Sequence, residues 1–237
     1  MPPGTHTSVS YTAPDNPSAK AKADVIYGRI QDAGMSGFAL GLTWKDLEPS
    51  KGNLNVSELA YVMHILGSIG YHSIVNIGAI DTDTVAVPAD LGDPSNPDRL
   101  RPGLAWNGTE VVQRYSMLLA QAVPMIIANG GAHFGVGNEV DATLEQLPPQ
   151  SAIEYALFAY IARYIARNMT GGQDTSLLSV GVTLTFGGLS SQRVRSSEWF
   201  QYLSLEELTD AIPVTYYPLQ GNFSVEDPSV VVAANLA

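Results

Sequence analysis

Residues 133–144, HFGVGNEVDATL, decide how the rest of the chain is read. The first half is apolar enough for a buried strand, and it stops on Asn138, Glu139 and Asp141, side chains that resist burial. A strand ending this way either meets solvent or carries a carboxylate to a place where chemistry happens. Working outward, β-type runs at residues 5–12, 35–44, 72–80, 132–140, 177–186 and 211–219 alternate with segments of helical period at 18–34, 55–70, 110–131, 149–172 and 197–210. That βα alternation predicts a parallel sheet in one α/β domain spanning 1–237.

Local signals agree with the alternation. Gly34, Gly70, Gly130 and Gly171 each fall where a helix has to stop before the next strand. Pro124 lies inside the third helical segment and is expected to kink or divide it. The connection from Asp81 to Glu110 is long, and long loops in compact domains are usually functional. It follows a strand, which assigns it to the C-terminal face of the sheet. Six units of roughly 40 residues point to a TIM (β/α)8 barrel present as an N-terminal fragment, about 80 residues short of strands seven and eight. The rival, a doubly wound open sheet, would carry a Gly-rich phosphate loop after its first strand, and SYTAPDNPSAK has none.

Composition narrows the function. With 23 acidic and 12 basic residues, the formal charge of −11 opposes nucleic acid and anionic membrane surfaces as partners. The absence of cysteine excludes a disulfide framework, thiolate metal sites and a cysteine nucleophile. No leader is visible at the start, and no apolar run is read as approaching the length of a membrane span. Sequons at Asn107, Asn168 and Asn222, with few lysines, favour an extracytoplasmic location. The four histidines show no metal spacing, no metal or other cofactor is expected, and no nucleophile elbow, P-loop or dinucleotide fingerprint occurs.

Glu139, at the C-terminal end of the fourth strand, falls on the face where barrel enzymes place their active sites. A carboxyl at the edge of an apolar strand there is a candidate general acid. The alternative is a Glu that caps the next helix. Asp81 and Asp83 end the third strand in AIDTDT; Asp81 is a candidate substrate contact, and two Asp without further ligands make a poor Ca²⁺ site. Trp44 and Trp106 are candidates for the cleft wall, Trp106 by stacking on a pyranose face. Glu48, in EPSKG, reads equally as part of a turn. Asp141 is expected to cap or orient its loop.

GVGNEVD on the fourth strand resembles the Asn-Glu signature of the clan A retaining glycoside hydrolases. DAIPVTYYPL resembles the sixth strand of the arabinogalactan endo-β-1,4-galactanases, and LTWKDLEPSKG resembles a run after strand two in several β-glycosidase families. The resemblance implies a (β/α)8 barrel and a retaining β-glycosidase acting on a plant or algal polysaccharide or its oligomers. Glu139 would be the acid/base, Asn138 would hold the sugar 2-hydroxyl, and Tyr216 or Tyr217 would bond a nucleophilic Glu lying beyond Ala237. Two departures stand out: the second strand lacks the Arg often found there, and the fifth offers Thr183 and Thr185 without a His. The full-length protein is expected to be a monomer, and residues 1–237 alone are expected to be inactive. The alternatives are a non-catalytic glycan-binding barrel and an unrelated barrel enzyme using Glu139 as a general base.

Overall fold

The structure, a computed structural model, describes residues 8–9, 25, 32, 37–169, 178–205 and 210–215. The sheet strands are β1 (Ser8–Val9), β2 (Gly37–Thr43), β3 (His72–Gly78), β4 (Gly131–Gly135), β5 in two pieces (Ser179–Gly181 and Leu184–Thr185) and β6 (Val214–Thr215). They pair in chain order, and every pairing is parallel. A parallel bridge between Gly181 and Ala211 joins the first piece of β5 to the run leading into β6. Each of the six strand segments read from the sequence thus contributes a strand in the expected order.

The helices that return the chain are α1 (Ser57–Ser68), α2 (Thr109–Ala128), α3 (Pro149–Asn168) and α4 (Glu198–Leu203). Their apolar stripes meet one face of the sheet. On α2 the buried positions Val111, Tyr115, Leu118, Leu119, Ala122, Val123 and Ile126 recur at helical period. The sheet answers with alternate residues: Val75 and Ile77 on β3, Phe134 on β4, and Val180 and Leu184 on β5, all fully buried. Gly70 and Gly130 end their helical segments at φ 77°, a left-handed geometry open to a residue without Cβ.

The opposite face is sparse. Strand register aligns Gly41, Asn76, Gly135 and Gly181 in one row, where barrels usually place branched side chains. A Cβ on Gly135 would stand 3.0 Å from the Asn76 side chain, so the amide takes up the space that the glycine leaves.

Two expectations are corrected. Pro124 does not divide its helix: α2 runs unbroken through it. The backbone bond that Pro124 cannot donate would have gone to Ala120, which is exposed. By length and composition, α2 is also long and apolar enough to cross a membrane, with a mean hydropathy of 1.3, contrary to the reading that no run approaches a span. In this fold it is a barrel helix that buries Arg114 beside Glu48.

That ion pair fixes the β2 loop to α2. Arg114 donates from Nε and Nη2 to Glu48 Oε1 at 3.1 and 2.7 Å, and from Nη1 to Asp90 Oδ2 at 2.5 Å. Glu48, 2% exposed, also accepts from Trp44 Nε1 and the Gly52 amide, both at 2.8 Å. Arg114→Leu would strand that carboxylate, so we expect a loss of about 3–5 kcal/mol by urea unfolding. Adding Glu48→Gln to it should recover part of the loss. A cost below about 1 kcal/mol for Arg114→Leu would show that the pair is dispensable.

His133 on β4 supplies a pH signature. It is buried, with Nδ1 2.7 Å from Ser179 Oγ, and burial pushes its pKa from 6.5 down to about 4 against an opposing pull from Asp210. The unfolded chain therefore binds this proton at a higher pH than the native one, and stability should fall as pH drops from about 6.5 to about 4. His133→Asn should flatten that part of the melting temperature against pH profile; a slope identical to the parent's would rule His133 out as its source.

Candidate active site

The strand bonding continues past the end of β4 and builds the site. On one side Ala79 N–H donates to Val136 O at 3.0 Å, Asn138 N–H to Ile80 O at 3.0 Å and Thr82 N–H to Asn138 O at 2.7 Å. On the other, Val136 N–H donates to Gly181 O at 2.9 Å and Val140 N–H to Thr183 O at 3.1 Å. Backbone on both flanks thus holds Asn138 and Glu139 in place. Gly137 admits this packing because a Cβ there would fall 2.2 Å from the Tyr155 hydroxyl.

Among the described residues, two that are not glycine adopt positive φ: Thr82 at 56° and Glu139 at 48°. Each such residue costs on the order of 1–3 kcal/mol, and such strain gathers at functional sites. The two are bonded to each other, Thr82 Oγ1 donating to Glu139 Oε2 at 3.1 Å. Glu139 is 8% exposed, and its Oε1 is buried without a hydrogen-bond partner among the described residues. A buried carboxyl oxygen with no partner is costly unless something else, such as a reacting group, uses it.

The neighbours complete the arrangement. Asn138, half-buried, donates from Nδ2 to Asp81 Oδ1 at 2.9 Å, and the second N–H of that amide is left for another acceptor. Asp81, expected as a substrate contact, is thus first a partner of Asn138, while Asp83 is exposed. Asp141 begins the short helical turn Asp141–Leu144 and accepts from Thr185 N–H at 2.8 Å and Thr185 Oγ1 at 2.6 Å, tying the β4 loop to the end of β5. Thr143 Oγ1 donates to Thr82 O at 2.9 Å, which fixes the Thr82 turn from below. Thr82 and Thr143 were not singled out from sequence. The only trace of Thr82 is a tight turn, DTDT, made without glycine.

Both tryptophans proposed for the cleft lie elsewhere. Trp44 is fully buried, its ring edge-on to Tyr115 at 4.9 Å and stacked on Phe158 at 6.5 Å. Trp106, 2% exposed, meets Tyr155 edge-on at 5.0 Å. They seal the loops after β2 and β3 onto α2 and α3, and neither offers a face to a sugar. Tyr216 and Tyr217 lie outside the described residues. Among the described residues no three His, Asp or Glu side chains gather as metal ligands.

A parallel sheet in chain order, helices on one face and polar residues gathered where strands β3, β4 and β5 end define a TIM-barrel fold with the candidate site at the C-terminal end of its strands. Solved structures share the fold. GH5_18 from Bifidobacterium longum subsp. infantis aligns with a TM-score of 0.59 at 14% identity, over 86% of this chain and 46% of that one. A fungal β-1,4-galactanase aligns with a TM-score of 0.56 at 13% identity, over 90% and 64%. A GH5_18 variant from Bifidobacterium longum subsp. longum in complex with Manβ1-4GlcNAc aligns with a TM-score of 0.54 at 14% identity, over 78% and 42%. The chain thus spans less than two thirds of each neighbour's length, and at these identities the likeness is one of fold. No protein-family model and no curated protein matches the sequence.

The strained backbone at Glu139 yields a stability test. Replacement by glycine relieves the left-handed cost and removes a buried carboxyl, against a smaller entropic loss. Glu139→Gly should therefore be more stable than the parent by about 1 kcal/mol, and a clear decrease would show that Glu139 serves the fold rather than a reaction.

Proposed function

We propose that the protein is a retaining β-glycosidase and that Glu139 is its acid/base. The observation that supports this best is Glu139 itself: strained, buried, one carboxyl oxygen anchored and the other unpartnered among the described residues, at the C-terminal end of the fourth barrel strand. Such an oxygen suits proton delivery to a glycosidic oxygen and, in the second half of the reaction, proton removal from the incoming water. Asn138 stands beside it with an N–H free for a sugar hydroxyl, and Asp81 orients that amide. Retention needs a second carboxylate about 5 Å from the first. We propose a second carboxylate of the protein for this role, with Tyr216 or Tyr217 as its hydrogen-bond donor. The galactanase and the disaccharide complex among the structural neighbours support a carbohydrate substrate, for which we propose a plant or algal β-linked polysaccharide or its oligomers. The acidic surface suits a neutral substrate of this kind.

The test uses the full-length gene product on a panel of β-linked polysaccharides and 4-nitrophenyl β-glycosides. Glu139→Gln keeps shape and removes the proton supply, so cleavage of polysaccharide should fall on the order of 10²- to 10⁴-fold. The first step with an activated aryl glycoside should suffer much less. Azide, which needs no general base, should then restore turnover and give a β-glycosyl azide. Cleavage of polysaccharide by Glu139→Gln at the parent rate would remove Glu139 from the mechanism.

A further inference from the structure

The loop after β3 mirrors the end of β4 residue by residue: Asp81 bonds Asn138, and Thr82 bonds Glu139. Backbone enforces the match, since Asp81 and Asn138 form a parallel bridge and Thr82 N–H donates to Asn138 O at 2.7 Å. Thr82 is itself held at its carbonyl by Thr143 Oγ1 at 2.9 Å. A β-branched residue at φ 56° is a poor choice for a turn that glycine or asparagine would make at lower cost. The side chain that the turn keeps at this cost is the one that reaches Glu139.

We propose that Thr82 is a positioning residue for the acid/base, fixing which oxygen of Glu139 carries the proton to the substrate. An ionised carboxylate can only accept, so the Thr82 hydroxyl donates to Oε2 whenever Glu139 has lost its proton. When Glu139 is protonated, the same bond occupies Oε2 and leaves the proton on Oε1, the oxygen without a partner among the described residues. Without the hydroxyl, both oxygens take the proton and the carboxyl turns about its last torsion, which is broad and roughly two-fold. A smaller fraction of complexes then presents the proton in line with the leaving oxygen, and misplacement of a catalytic group by as little as about 1 Å costs rate steeply. Nothing else about the substrate site changes, so binding is preserved.

This inference rests on Glu139 being the acid/base, and the experiment separates the two. Thr82→Val keeps the branched shape and removes the hydroxyl; Thr82→Ser keeps the hydroxyl. In the full-length protein, Thr82→Val should lower kcat on the polysaccharide cleaved by the parent on the order of 10- to 100-fold, the range for loss of a hydrogen bond to a charged group, with KM nearly unchanged. The loss should be smaller on a 4-nitrophenyl glycoside, and Thr82→Ser should lie within a few-fold of the parent. A parent-like kcat for Thr82→Val, or a loss equal on both substrates and not rescued by serine, overturns the proposal. Crystal structures of the two variants decide the geometry without reference to catalysis: Glu139 should rotate or split into two positions with valine and keep its place with serine. A fixed Glu139 beside Val overturns the positioning role even if Glu139→Gln proves Glu139 essential. A displaced Glu139 with no effect of Glu139→Gln on turnover refutes the glycosidase reading and, with it, any catalytic meaning of Thr82.

Discussion

The backbone hydrogen bonds that join β3 to β4 beyond the last regular rung of the sheet govern everything this molecule presents at its C-terminal end. Ala79 to Val136, Asn138 to Ile80 and Thr82 to Asn138 extend two parallel strands into a pair of matched turns. Bulk and shape are cleared for this by Gly78 and Gly137, whose absent Cβ atoms would fall 2.7 Å from Ile80 O and 2.2 Å from the Tyr155 hydroxyl. The result is a carboxyl whose backbone is strained, whose one oxygen is anchored and whose other oxygen is buried without a partner among the described residues. Loops of ordinary flexibility do not hold that combination; two strand ends bonded to each other do.

The outer layer serves the same end. Trp44, Trp106, Tyr115, Tyr155 and Phe158 form one aromatic cluster in which loops after β2 and β3 pack on α2 and α3. The polar ends of this cluster are satisfied internally: Trp44 Nε1 by Glu48, Tyr115 Oη by Ile77 O at 2.7 Å and Tyr155 Oη by Val136 O at 3.3 Å. Tyr115 and Tyr155 thus reach from two helices to the carbonyls of β3 and of the β4 extension that carry the site. Part of the long connection after β3, at Val85, Val87, Leu91 and Trp106, packs on the core, and Asp90 and Arg114 clamp it to the buried Glu48.

The sequence showed those features whose physics is local. Strand order followed from βα alternation and the near-universal handedness of crossovers, the helix ends at Gly70 and Gly130 followed from left-handed geometry, and Glu139 stood out as a charged residue closing an apolar run. What it concealed depends on contacts between distant segments. A tryptophan in a loop has the same letter whether it faces a sugar or the core, and for Trp106 the choice is made by Tyr155 and Phe158, far along the chain on α3. Thr82 meets Glu139 across 57 positions, through a backbone conformation that no propensity for threonine suggests. That Pro124 leaves α2 undivided depends on the packing of the whole helix, whose buried face runs from Val111 to Ile126.

The central claim is that Glu139 stands where a glycosidic bond is broken. The most direct measurement is a crystal structure of the full-length Glu139→Gln protein with a β-linked oligosaccharide of the proposed substrate class. The account expects the glycosidic oxygen within about 3 Å of the side-chain atom replacing Oε1, with Asn138 on a hydroxyl of the adjoining sugar. An oligosaccharide bound away from the ends of β3 and β4, or one whose glycosidic oxygen faces neither side-chain atom of residue 139, would contradict it.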